Sequence, residues 1–135
     1  MNDPNGVRSL LAACLDGLPA DHPAEATCLI LNQHVSRFAN NSIQQNMACE
    51  DLRLHLVVRD GDRLGSASTN RIDPEHIRRL QHTALAAARA GAPEQGLQDL
   101  RSDCPTPVFE NVDPATLDHD PDMKAKALAH TFDLA

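Results

Sequence analysis

A chain of 135 residues with 41% apolar and 23% charged side chains has the composition of one globular domain, 1–135, that folds without a covalent staple. Its aromatic residues are Phe38, Phe109 and Phe132, which argues against a stacking platform for single-stranded nucleic acid or carbohydrate. A net charge of −7 lacks the basic footprint of a duplex binder, no apolar run reaches the ~18 residues of a membrane span, and Met1-Asn2-Asp3-Pro4-Asn5 carries no basic leader.

Asp3-Pro4 opens the first predicted helix as an N-cap followed by proline. Val7, Leu10, Leu11, Cys14 and Leu15 then make one apolar stripe, and Gly17 with Pro19 stops it. Ala26 to Leu31 reads as a short strand buried on both faces. Arg37 to Cys49 is more polar. Ile43, Met47 and Cys49 give it one apolar edge, and Asn40-Asn41 is a turn candidate because asparagine tolerates left-handed backbone angles.

Leu52, Leu54, Leu56 and Val58 alternate with Arg53, His55, Val57 and Arg59, which predicts a strand with one buried face. Asp60-Gly61 predicts a type I′ hairpin, returning through Arg63 to Asn70 with Gly65, Ala67 and Thr69 opposite Leu56, Leu54 and Leu52. Asp73-Pro74-Glu75 opens the second long helix, whose stripe is Ile77, Leu80, Ala84, Leu85, Ala87 and Ala88 and whose end is marked by Gly91 and Pro93. Residues 91–120 read as an extended connection with one turn at Asp113-Pro114. Asp120-Pro121 starts a further helix over 121–135, through Lys124, Leu128 and Phe132, with no stop signal before Ala135. The expected class is α+β: an antiparallel sheet of about four strands with two to three helices on one face.

Cys14, Cys28, Cys49 and Cys104 form no Cys-x-x-Cys pair, so zinc-ribbon and thioredoxin-like readings fail. None of the histidines is followed by glutamate, and His76 and His82 lie about 240° apart on their helix, so they cannot share a metal. Gly65-Ser66-Ala67-Ser68-Thr69 has Ala67 where a nucleophile elbow needs serine, and no phosphate loop is present. Cys49 is the best thiol nucleophile, but Glu50 and Asp51 beside it disfavour a thiolate.

Three segments in series resemble one family. Arg37-Phe38-Ala39-Asn40-Asn41-Ser42-Ile43-Gln44-Gln45-Asn46 is similar to the stretch "RFANN-x-I-x-QN". Arg59 to Asn70 resembles the hairpin "dGr-x-G-x-AsTN", and Ala84-Leu85-Ala86-Ala87-Ala88-Arg89 resembles "AL-x-x-AR". The tail from Val112 to Leu134 resembles a return into a further helix. The family so resembled is the TldD/PmbA family, also called modulators of DNA gyrase.

The resemblance implies the N-terminal domain of a cytoplasmic zinc metalloprotease system that pairs a catalytic subunit with a homologous non-catalytic one. Its substrates are peptides or unfolded proteins. The family's zinc motif, His-Glu-x-x-x-His, is absent from this sequence, so this chain is expected to carry no cofactor, no metal site and no catalytic residue of its own. The expected role is to shape a substrate chamber or to pair with a homologous subunit or a second copy, with no nucleic-acid or membrane partner. Arg37, Asn40, Asn41, Gln44, Gln45 and Asn46 offer groups that can hydrogen-bond a peptide backbone. Composition and pattern alone also allow a stand-alone acidic interaction module.

Overall fold

The computed structural model describes residues 4–98, 113–117 and 120–133. In chain order the elements are α1 (Pro4–Asp16), β1 (Ala24–Ala39), β2 (Ser42–Asp60), β3 (Arg63–Thr69), α2 (Pro74–Ala90), α3 (Pro114–Leu117) and α4 (Pro121–Asp133). The strands form one antiparallel sheet in the order β1-β2-β3, and the class is α+β. Asp3, the expected cap of α1, and Cys104 and Phe109 lie outside the described residues, as do the ends of the tail, Val112 and Leu134.

Among the described residues there are three strands, not four. Arg37 to Cys49 is not a strand of its own, because Asn40 (φ 51°) and Asn41 (φ 54°) turn the chain inside it. Both central residues take the left-handed region that a type I′ turn requires. The first piece lengthens β1. The second runs on through Glu50 and Asp51 into the alternating leucines, giving β2 its 19 residues. A strand with solvated side chains tolerates such polar residues, so they do not mark its ends.

Two further expectations are corrected. Ala24, Ala26, Cys28 and Ile30 are half-buried, but Leu29 (57% exposed) and Leu31 (46%) face solvent, so β1 is buried on one face only. In the second hairpin Asp60 pairs with Arg63, which makes Gly61-Asp62 the loop in place of Asp60-Gly61. Gly65, Ala67 and Thr69 therefore oppose Val58, Leu56 and Leu54, two residues along from the expected register. The shift of two keeps every side chain on its face. Gly61 has φ +62° while Asp62 is not in the positive region, the pattern of a type II′ turn.

The chain forms two compact units, Met1–Ile30 with Asp51–Asp103 and Leu31–Glu50 with Cys104–Ala135. The core of the first joins Leu54, Leu56 and Val58 of β2 to Cys14 of α1 and to Ile77, Leu80 and Ala84 of α2. Burial of each large aliphatic side chain contributes about 1.5–3 kcal/mol. α2 lies against β3, and Gly65 lets the backbones approach, since even a methyl group there would overlap Ala84 and Ala88. Asp73 caps α2, accepting the His76 N–H at 3.2 Å, and Pro74 follows as the first helical residue.

In the second unit, the β1–β2 tip meets α4. The rings of Phe38 and Phe132 lie 5.3 Å apart, and Lys124 Nζ donates to the His34 carbonyl at 3.0 Å. Asp120 caps α4 through the Met123 N–H at 2.7 Å. At the turn expected around Asp113-Pro114 the chain forms α3, with Asp113 Oδ1 accepting the Ala115 N–H at 2.8 Å. Residues 99–112 of the expected extended connection lie outside the described residues.

Candidate functional site

The six residues expected to meet a peptide all sit on the β1–β2 tip and are all exposed. They do not form one uniform row of free groups. Gln44 folds back on the turn, its Nε2 donating to Ser42 Oγ at 2.6 Å and to the Ala39 carbonyl at 3.4 Å. Ser42 Oγ also donates to that carbonyl, at 3.3 Å. Asn46 Oδ1 accepts from Ser36 Oγ across the hairpin at 2.9 Å. Asn40 and Asn41 are held by the turn geometry itself. Arg37 and Gln45 extend into solvent and make no side-chain hydrogen bond among the described residues. Two of the six side chains, Gln44 and Asn46, thus bond within the hairpin, which leaves Asn40 and Asn41 at the turn and Arg37 and Gln45 on the strands as the groups open to a partner.

Exposed apolar side chains surround these polar groups. Phe38 is 52% exposed, Ile43 40% and Met47 45%. The apolar edge of Ile43 and Met47 was visible in the sequence, but its solvent exposure was not. The backbone adds a second feature. β3 pairs with β2 only from Leu54 to Asp60, so residues 42–53 have no described strand on that side. An open row of amides and carbonyls beside exposed apolar side chains suits strand addition or sheet pairing.

The thiols separate by environment. Burial, with Cys28 nearby, pushes the Cys14 thiol up from its ordinary pKa, and burial does the same to Cys28, so neither favours the thiolate. Cys49 is exposed on β2, and no hydrogen bond joins it to a histidine among the described residues.

Two carboxylate–histidine contacts lie in the first unit. His22 Nδ1 is 2.8 Å from Asp21 Oδ1, its Nε2 is 3.6 Å from Asp60, and Arg89 approaches Asp60 at 4.0 Å. His76 Nδ1 is 2.8 Å from Asp73 Oδ1, and Arg71 Nε is 3.5 Å from Asp73 Oδ2. The histidine hydrogen bond in each case holds Asp21 and Asp73 below the usual carboxylate range. Asp73 thereby caps α2 and Asp21 bonds its sequence neighbour, while Asp60, facing His22 and Arg89, is the carboxylate that joins separate segments. Among the described residues no three His, Cys, Asp or Glu side chains gather as a metal site, and no helix is long and apolar enough to cross a membrane.

This arrangement of strands and helices has a solved counterpart. TldE from Thermococcus kodakarensis matches it with a TM-score of 0.71 at 17% identity, over 92% of this chain and 27% of that one. The fold is TldE-like. The chain therefore spans about a quarter of the length of that TldE. No family model matches the sequence, and no curated protein matches it. The first three resembling segments lie at the turn at Asn40-Asn41, the turn at Gly61-Asp62 and the last turns of α2.

Proposed function

We propose that the chain is a non-catalytic N-terminal domain of a TldD/TldE-type proteolytic assembly in the cytoplasm. There it shapes the substrate chamber or pairs with a homologous subunit during cleavage of peptides or unfolded proteins. The observation that carries this reading is the TldE-like fold over 92% of the chain. The exposed tip supports it physically. A ribbon with open backbone groups and with Phe38, Ile43 and Met47 in solvent gains by being covered. The sequence carries no His-Glu-x-x-x-His motif. The reading assigns this chain no step at a metal.

Co-expression of the affinity-tagged chain with a TldD-type catalytic subunit tests the proposal. The two should co-elute, and cleavage of an unfolded substrate should require the catalytic subunit. Cleavage by the purified chain alone would overturn the reading. So would separate elution of the two, with cleavage indifferent to this chain.

A further inference from the structure

A cleft of about 320 Å³ opens beside the C-terminal end of β3, against the outer side of α2. Ser68 and Thr69 of β3 and His76, Arg79, Leu80 and Thr83 of α2 line it, and no carboxylate does. Such a volume matches the lower end of small-ligand sites. A shallower cleft shares Ser68 and Thr69 and adds Arg53, Asn70 and Asp51. Arg79 lines the first cleft, Arg53 lines the second with Asp51, and Arg71 faces Asp73.

The partners of these groups are unequal. Asp73 is already engaged: Oδ1 accepts the His76 amide and faces its ring, and Oδ2 faces Arg71. The carboxylate is an acceptor only, so His76 Nδ1 carries the proton and its Nε2 is left for another contact. His55 Nδ1 lies 2.9 Å from Ser68 Oγ on the face of the sheet opposite Thr69, so that hydroxyl is turned away from α2, and Thr69 Oγ1 accepts the Arg71 N–H at 3.1 Å. Arg79 has no ion pair among the described residues. A guanidinium without an ion pair, in a cleft it shares with Thr69 and Thr83, is chemistry for an oxyanion, and Leu80 gives the cleft an apolar wall.

The geometry points to a binding site for a small ligand bearing an oxyanion, a phosphate or a carboxylate, held by Arg79 and the hydroxyls of Thr69 and Thr83. The site belongs to the first unit and is independent of the subunit pairing proposed above.

Nitrogen-15 NMR of the full chain, titrated with inorganic phosphate and separately with acetate at constant ionic strength, tests it. Saturable shifts confined to residues around Thr69, His76, Arg79 and Thr83 are expected with at least one anion. Saturation by phosphate but not acetate identifies a phosphate ligand, and the reverse a carboxylate. Arg79→Gln should weaken binding at least about tenfold. Thr83→Val should weaken it less. Arg78→Gln, on the neighbouring position but lining a different cleft, should leave it unchanged. Absence of saturable shifts with both anions, or equal loss in Arg78→Gln and Arg79→Gln, would overturn the assignment.

Discussion

The Gln81 side chain donates from one nitrogen to the carbonyls of both Ala13 and Cys14, each at 3.0 Å. These carbonyls belong to the last turn of α1, where helical C=O groups have no partner within the helix. α1 has no basic residue in that turn, and Gln81 of α2 closes its end together with the Leu18 N–H, which bonds the Leu15 carbonyl at 3.1 Å. Gln81→Met keeps the volume and removes the donor. It should cost about 2 kcal/mol, read as a lower urea midpoint with an unchanged slope.

Gly65 and Gly61 make a contrasting pair. A methyl on Gly65 would meet the Ala88 backbone, with Ala88 Cα at 2.6 Å, whereas Gly61 has open space around it and a φ of +62°. Gly65→Ala should destabilise by about 3 kcal/mol because α2 must lift from β3. Gly61→Ala should cost about 1–2 kcal/mol through backbone strain alone. Thermal melts of the two variants should rank them in that order; equal melting would contradict the close approach of helix and strand.

Acid should loosen the fold through Asp73 and Asp21. Both carboxyls sit below their ordinary pKa when folded, chiefly because His76 and His22 hydrogen-bond them. A lowered folded pKa means stability that is present above the unfolded value of 3.8 and lost as pH falls through the folded value. Urea midpoints measured from pH 6 down to about pH 2.5 should decline, and Asp73→Asn should flatten the decline. Both groups are exposed, so added salt should flatten it too.

The tip should make the free chain associate with itself. Ile43→Lys combined with Met47→Lys replaces two exposed apolar side chains by charges. Sedimentation velocity should show a mass that rises with concentration for the native sequence and a monomer for the double variant. A native chain that stays monomeric throughout would contradict this.

Much of the first unit was legible because its signals are local. Asp73-Pro74 marks the start of α2, and Ile77, Leu80, Ala84 and Ala88 recur at helical spacing and are buried. Gln81 was not legible: a buried glutamine is defined by carbonyls on a different helix, which no window around residue 81 contains. The length of β2 was hidden by Gln44, Gln45, Asn46, Glu50 and Asp51, polar residues that a solvated strand accepts. The hairpin register was missed by two because Asp-Gly favours a loop of its own, while here Asp60 remains paired with Arg63. At the tip, the sequence marked the right segment, but not that Gln44 and Asn46 turn inward on the hairpin's own backbone and side chains.

β3 is 7 residues long and β2 is 19, and that disparity has a kinetic consequence. Residues 54–60 of β2 pair with β3, whereas residues 42–53 have no described strand on that side. In deuterium oxide the outer stretch should trade its hydrogens first, and occupation of the ribbon by another molecule should appear as slowing of that exchange before any other change in the protein.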